Sequence, residues 1–292
     1  MGIRATQPIR KMRGGSQAHL LQCSDGNAYV VKFRNNPQHR RVLINEWIAA
    51  SLLRYLGITT PAVAIVEVTS DFLDQFPEVC LHLHSRRVSV EPGLHFGSLF
   101  LGSPGGTVVY DFLPDSLLRD VINIREFPGV LAFDKWVGNL DARQSIFVRS
   151  DVSKSAFAAE GHCRKYFAHM IDHGYTFGGP DWAFLDSPLQ GLYPWAVAYE
   201  HVTSIYDFHP WLDRITQFPE DVVTEMQRQI PTEWVLDDGP FLEHILTMLV
   251  KRRELVEDLI VSCRHGRANL FPAWPLRERT IGSRCICPQS LP

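Results

Sequence analysis

The sequence lacks any apolar run approaching the roughly 18 residues that a membrane-spanning helix needs. It also lacks an apolar amino-terminal segment with a small-residue cleavage site, so we expect no secretory signal. Its six cysteines show no framework-like spacing, which argues against a disulfide-stapled fold. The formal net charge is only -3, so charge gives no reason to expect direct nucleic-acid or membrane binding. These absences predict a soluble, cytoplasmic protein.

What is present is an ordinary globular composition, with 45% apolar and 21% charged residues among 292. At about 150 residues per domain, this length favours two lobes. Strand patterns dominate the first part of the chain and helical patterns the second, so the predicted class is α+β. We expect an amino-terminal lobe over residues 1–112, a carboxyl-terminal lobe over 113–276 and a loose tail over 277–292.

Local patterns predict the elements of the first lobe. Residues 17–34 read as a β-hairpin around an Asp25-Gly26 turn, and residues 39–56 read as a helix closed by Gly57. The stretch 91–106 is rich in glycine and proline and is predicted to be a loop.

The predicted helix is apolar nearly all round, which places Glu46 on a face that is expected to be buried. A buried carboxylate is costly unless it is paired, and the nearest cation on a neighbouring strand is Lys32. A strand lysine paired with a helix glutamate is the arrangement that protein kinases use to hold ATP phosphates. Gly14, Gly15 and Ser16 precede the hairpin and could place backbone N–H groups over those phosphates, although such glycines are equally common in ordinary turns.

Two further clusters follow in the second lobe. Asp141 lies in a polar stretch, 138–144, between a helix and a short strand, where it could accept the proton of an attacking hydroxyl or simply belong to a surface turn. Asp172 ends an apolar strand before a glycine-rich loop, which is where a kinase-like fold carries its magnesium ligand. The order of these clusters along the chain is more informative than any one of them.

Taken together, these residues resemble the HipA-like kinase family, in its stand-alone bacterial form. The resemblance extends over about residues 8–265 and rests on the following motifs: Gly14-Gly15-Ser16, Tyr29-Val30-Val31-Lys32-Phe33, Asn45-Glu46-Trp47, Gly93-Leu94-His95-Phe96-Gly97-Ser98, Asp134-Lys135-Trp136-Val137-Gly138-Asn139-Leu140-Asp141, Ile171-Asp172-His173-Gly174, Ile230-Pro231-Thr232-Glu233-Trp234 and Arg252-Arg253.

The resemblance implies a two-lobed protein-kinase-like fold that transfers the γ-phosphoryl group of ATP, with magnesium, to a Ser or Thr hydroxyl of a protein. It implies Lys32 at the α/β-phosphates, Glu46 orienting Lys32, Asp141 as catalytic base and Asp172 as the main metal ligand. Asp111 and Leu113 would lie at the hinge beside adenine.

One position departs from the family pattern. The family carries an asparagine five residues after the catalytic aspartate to complete the metal site, and here that position is Ile146. Gln144 and Asn139 are the alternative amide ligands. The departure keeps two other functions open: a nucleotide-binding pseudokinase that acts as an interaction module, and a kinase-like phosphotransferase for a small molecule. The identity of a protein substrate and the oligomeric state are not encoded in any pattern we recognise.

Overall fold

The computed structural model describes residues 2–83, 86–102, 107–149 and 166–275, so the predicted tail 277–292 lies outside the described residues. The strands are β1 (Ile3–Lys11), β2 (His19–Cys23), β3 (Ala28–Lys32), β4 (Val63–Val68), β5 (Cys80–Leu83), β6 (Arg86–Ser89), β7 (Gly93–Leu99), β8 (Val109–Tyr110), β9 (Gln144–Arg149) and β10 (Tyr166–Ile171). The α-helices are α1 (Arg41–Leu56), α2 (Ser70–Gln75), α3 (Asp115–Leu118), α4 (Phe127–Val137), α5 (His209–Thr216), α6 (Glu220–Arg228), α7 (Thr232–Val235), α8 (Gly239–Lys251) and α9 (Val256–Gly266).

Five strands of the amino-terminal part close into a barrel in the order β1-β2-β3-β7-β4. The predicted hairpin is confirmed as the antiparallel pair β2 and β3. Because side chains alternate along a strand, Val31 packs inside the barrel while its neighbours Val30 and Lys32 line a cavity on the other face. This alternation carries Lys32 out of the barrel core and towards the rest of the molecule.

The prediction of a loop over residues 91–106 was wrong for the first half of that range, because β7 occupies Gly93–Leu99 and pairs with both β3 and β4. A Cβ atom at Gly97 would lie 2.7 Å from Val66 Cγ2, so the glycine permits close packing inside the barrel. The glycines that suggested a loop here mark a tightly packed central strand instead.

The predicted helix is confirmed as α1, which ends at Gly57 in a left-handed cap. Every residue from Val42 to Ala50 is buried, as the apolar pattern around the helix predicted. Its apolar side chains, including Ile44 and Ile48, belong to the same core cluster as the helices of the carboxyl-terminal part. The part of α1 from Val42 to Ala50 is therefore buried on all sides between the barrel and that second core.

The carboxyl-terminal part is mainly helical, with one three-stranded sheet in the order β10-β9-β8. The short strand predicted after residues 138–144 and the apolar strand predicted to end at Asp172 are confirmed as β9 and β10, which pair antiparallel. Their register sets Gln144 opposite Ile171, so the loop before β9 and the loop after β10 lie side by side. Within the described ranges, no helix has both the length and the apolar character to cross a bilayer.

Candidate active site

A cavity of about 1060 Å³ lies between the barrel and the carboxyl-terminal part. It has the size of a small-molecule or cofactor site. Of the site residues predicted from the sequence, it is lined by Gly14, Gly15, Ser16, Lys32, Glu46, Asp111, Asp141, Gln144 and Asp172. Residues that are far apart in the chain thus meet around one space.

Lys32 forms the centre of the site's charge network. Its Nζ donates to Oε1 of Glu46 and, at 2.7 Å, to Oδ1 of Asp172. Burial alone would lower the pKa of Lys32, but the charges of Glu46 and Asp172 raise it above its ordinary value. Lys32 is therefore a fixed cation, and the ion pair predicted from the apolar helix is present.

Asp172 lies at the end of β10 with a left-handed backbone, φ 57°. The charge of Lys32 lowers the pKa of Asp172, so this carboxyl is ionised at neutral pH. Its side chain is 39% exposed, in contrast to the 3% of Glu46. The carboxylate therefore lies at the cavity surface, with Oδ1 against Lys32.

The loop that carries Asp141 is held from its backbone. The Asp141 N–H donates to Oδ1 of Asn139 at 3.1 Å, and the Gly191 N–H donates to the Asp141 carbonyl at 3.0 Å. These bonds leave the Asp141 side chain free to face the cavity. Burial raises the pKa of Asp141, and the nearby Asp172 carboxylate adds to the rise, which makes Asp141 a better proton acceptor than an ordinary aspartate.

A buried ion pair anchors this loop to α4. Arg143 Nε donates to Oδ2 of Asp134 at 2.9 Å and Arg143 Nη2 donates to Oδ1, with both side chains fully buried. Arg143 Nη1 also donates to the Ile171 carbonyl at 3.1 Å and contacts Nδ1 of His173 at 2.8 Å. A single guanidinium therefore connects the Asp141 loop to the Asp172 loop.

Asn139 does not reach the cavity wall. It is 1% exposed, its Nδ2 donates to Asp134 Oδ1 at 2.9 Å, and its oxygen holds the Asp141 backbone. Both ends of the amide are occupied in shaping the loop. Gln144, by contrast, is exposed and lines the cavity beside Asp172. Of the two amides predicted as metal ligands, the structure brings only Gln144 to the cavity.

The glycine loop between β1 and β2 lines the cavity opposite Asp141 and Asp172. The loop is closed by the Gln17 N–H, which donates to the Gly14 carbonyl at 3.2 Å. The Gln17 side chain accepts from the His82 N–H at 2.8 Å and donates to the His82 carbonyl at 2.6 Å, which ties the loop to β5. Small residues at 14–16 leave the backbone close to the cavity.

Of the two residues predicted at the hinge, Asp111 and Leu113, only one reaches the cavity. Asp111 lines the cavity, whereas Leu113 is 2% exposed and packs in the large core cluster without reaching the cavity wall. The apolar part of the wall is supplied by Leu20, Val30, Phe96, Leu99, Ile146, Met170 and Ile171. Such side chains provide a surface for a flat, apolar ring.

Sequence reasoning assigned no role to three buried polar residues that hold the site together: Asn45, Arg143 and His173. Burial lowers the pKa of His173 well below its ordinary value, and the charge of Arg143 adds to the fall, so the ring is neutral. Asn45 had a detectable signal, because it is a polar residue beside Glu46 in a helix that is otherwise apolar all round. No such sequence signal marks Arg143, because it stands in a polar stretch that is typical of a surface turn.

Residues 6–150 match the model of a protein family described as HipA-like kinase. Over this range the chain is similar to HipA-like kinases. The match contains the glycine loop, Lys32, Glu46 and Asp141, and it ends before Asp172. The resemblance to HipA-like kinases that the sequence motifs indicated is therefore confirmed.

Solved structures show the same fold over most of the chain. A crystal structure of the Golgi casein kinase superposes with a TM-score of 0.52 at 12% identity, covering 90% of this chain and 73% of the other. The same kinase with Mn/ADP bound gives 0.51 at 12% identity, covering 90% and 74%. The structure of hydra Fam20 with sugar gives 0.51 at 13% identity, covering 90% and 86%.

At these identities the likeness shows the fold alone, and that fold is the two-lobed, protein-kinase-like α+β fold predicted from the sequence. No curated protein sequence matches this chain. Family and fold together support a kinase-type phosphotransfer.

Proposed function

We propose that this protein is an ATP- and magnesium-dependent kinase that phosphorylates a Ser or Thr hydroxyl of a protein. The observation that carries the proposal is the assembled Lys32–Glu46–Asp172 network on a cavity that Asp141 also lines. A fixed cation, Lys32, and the separate carboxylates of Asp172 and Asp141 on one cavity support a reaction between a nucleotide's phosphates and an attacking hydroxyl.

The residues fit a magnesium ion held jointly with a nucleotide. Magnesium prefers oxygen ligands and is commonly bound through one or two carboxylates together with substrate phosphates and water. Asp172 supplies a partly exposed carboxylate, and Gln144 is the amide next to it. Among the described residues there is no cluster of three or more His, Cys, Asp or Glu that could hold a metal without such a ligand. A Golgi casein kinase structure with Mn/ADP supports the same class of ligands for this chain.

In the proposed reaction each side chain has one task. Lys32 binds the phosphates, and Glu46 holds Lys32 in place through its buried carboxylate. Backbone N–H groups at residues 14–16 bind phosphate oxygens, as expected for a loop of small residues. Asp141 accepts the proton of the attacking hydroxyl. Magnesium at Asp172 would neutralise charge that develops on the transferred phosphoryl group.

The cavity favours a protein substrate over a cationic small molecule. The carboxylates that line it, within the described part of the chain, are Glu46, Asp111, Asp141 and Asp172. Three of these are assigned to catalysis and the fourth lies at the hinge, so no further acidic cluster is available to bind a cationic acceptor. The wall also includes Tyr193, Pro194 and Trp195, which offer an apolar face to a peptide.

One observation favours a second candidate, a nucleotide-binding pseudokinase. Ile146 lines the cavity at the position where the family carries its metal-binding asparagine. An apolar side chain cannot ligate magnesium, so this alternative depends on whether Gln144 replaces the missing amide.

Transfer of labelled phosphate from ATP to protein tests the proposal. Asp141→Asn should reduce transfer by about 10² to 10⁴-fold while ATP-induced thermal stabilisation is retained. Lys32→Met should reduce both. Asp213→Asn, at a residue whose side chain is 63% exposed, is the matched control and should behave as the wild type. ATP binding without transfer in the wild type, with every candidate protein substrate tried, would favour the pseudokinase. Equal loss of ATP binding in the Asp141 and Lys32 variants would contradict the assigned roles.

A further inference from the structure

Asn45 precedes Glu46 on α1 and is fully buried. It faces the segment that follows Asp172, residues 173–182, which we call the metal loop. Its Nδ2 lies 2.8 Å from the Gly174 carbonyl, 3.0 Å from the Thr176 carbonyl and 3.3 Å from the Gly179 carbonyl. Its Oδ1 accepts from Trp182 Nε1 at 2.8 Å. One side chain thus contacts the metal loop at four places.

The metal loop needs such a partner because its backbone is irregular. Phe177 and Trp182 have left-handed φ angles of 59° and 53°, as do the intervening glycines 178 and 179 at 77° and 70°. A chain in this conformation cannot satisfy its carbonyls through a helix or a strand ladder. Buried carbonyls without a donor are costly, and the Asn45 amide supplies donors for the Gly174 and Thr176 carbonyls, whereas the Gly179 carbonyl also accepts from the Trp182 N–H at 3.3 Å.

The position of Asn45 joins two parts of the site. Its neighbour Glu46 accepts from Lys32 and also from the backbone N–H of His173, the first residue of the metal loop. Arg41, one turn earlier on α1, donates to the Pro180 carbonyl at 2.9 Å. The face of α1 that orients Lys32 is therefore the face that holds the loop behind Asp172.

We propose that Asn45 is a positioning residue that locks the metal loop to α1, so that Asp172, Lys32 and Glu46 keep their geometry. The inference rests on the proposed function for its catalytic meaning, but the lock itself consists of contacts among the chain's own residues. Thr176 adds to the internal bonding of the loop, because it is fully buried and donates to the His173 carbonyl at 2.9 Å.

Amide hydrogen exchange of the full chain without nucleotide tests the lock. Asn45→Leu removes all four contacts at similar volume, and Trp182→Phe removes one while keeping a ring beneath Arg41. We expect exchange in residues 173–182 to accelerate by at least about tenfold in Asn45→Leu and by less in Trp182→Phe.

The matched control is Asn123→Leu. Asn123 is also buried and also bonds backbone groups, donating to the Ala168 carbonyl and accepting from the Ala168 N–H, both at 2.9 Å. This variant should lower the unfolding temperature comparably and leave exchange in residues 173–182 unchanged. Unchanged exchange in both the Asn45 and Trp182 variants, or equal acceleration in Asn123→Leu, would overturn the proposal.

Kinetics then separate the lock from the reaction. In a working kinase, Asn45→Leu should lower kcat by at least about tenfold and change the KM for ATP by less, because Lys32 and the glycine loop remain. A kcat that stays at the wild-type value while exchange accelerates would overturn the catalytic part of the proposal. If the wild type transfers no phosphate, the proposed function fails, whereas the exchange experiment still decides the role of Asn45.

Discussion

The ion pair between Arg143 and Asp134 is fully buried, and its removal has a calculable cost. Arg143→Met replaces the guanidinium with an apolar chain and leaves the Asp134 carboxylate fully buried, with Asn139 Nδ2 at 2.9 Å as its remaining donor. Breaking a buried pair from one side costs about 3–5 kcal/mol. At about 2–4 °C per kcal/mol for a chain near this size, the unfolding temperature should fall by about 6–20 °C.

Urea and thermal unfolding measure this loss directly. The double variant Arg143→Met with Asp134→Leu removes both charges and should recover at least about half of it, since an apolar pair of similar volume is often neutral or stabilising. Arg228→Met is the control, because Arg228 and Glu225 form a surface pair with side chains 71% and 51% exposed, worth about 1 kcal/mol or less. A loss below about 1 kcal/mol in Arg143→Met, or a double variant no better than the single one, would refute the reasoning.

Three further outcomes are expected. Burial lowers the pKa of His95 from 6.5 to about 3, so between these pH values the unfolded chain binds a proton that the folded chain does not. The free energy of unfolding should therefore fall by about 1.4 kcal/mol per pH unit as the pH drops below 6.5. Urea titrations at pH 7 and pH 5 should show a smaller difference in the free energy of unfolding for His95→Gln than for the wild type. Gly191→Ala would place a Cβ 2.2 Å from that of Asp134, so it should lower the free energy of unfolding by about 1–3 kcal/mol and reduce phosphoryl transfer. Gly26→Ala is the control, because Gly26 also has a positive φ but its Cβ would meet no atom within 4 Å, and it should leave transfer unchanged. Similar activities of the two variants would contradict the crowding at Gly191. Gln144→Ala should raise the magnesium concentration that gives half-maximal stabilisation by ATP by about tenfold, which is equivalent to about 1.4 kcal/mol. Gln22→Ala, at another glutamine that lines the cavity, should leave that concentration unchanged. An unchanged concentration in Gln144→Ala would show that Gln144 is not part of the metal site.

Much of the fold could be predicted because local patterns and tertiary packing agree in it. The Asp25-Gly26 turn defined the hairpin, and an apolar helix with one glutamate implied a buried partner for that glutamate. The strand β7 was missed because Gly93 and Gly97 look like loop residues until the neighbouring strand is in place. Barrel closure depends on pairing between β1 and β4, residues about 60 positions apart, and no local signal reports it.

For the site, the charged residues were easier to predict than the residues that hold them. Lys32, Glu46 and Asp172 stand out because charge at the end of a strand or inside an apolar helix demands an explanation, whereas Asp141 was singled out by the order of the clusters along the chain. Asn139 was predicted as a metal ligand because an amide near an aspartate is chemically suitable, but its direction is set by Asp134, which the sequence does not reveal. The same holds for Leu113, whose side chain turns into the core.

The packing of α1 determines which parts of this protein can move together. Its apolar side chains share one core with α4, α5 and the helices beyond them, whereas the barrel encloses a separate core of its own. Phe96 of β7 also belongs to the core of α1, so an opening of the cavity that separates the barrel from α1 must withdraw Phe96 from that core. The Lys32–Glu46 hydrogen bond joins the barrel to α1, so its length depends on how far the cavity is open. A spectroscopic distance between β3 and α1 should therefore change when a nucleotide enters or leaves the cavity.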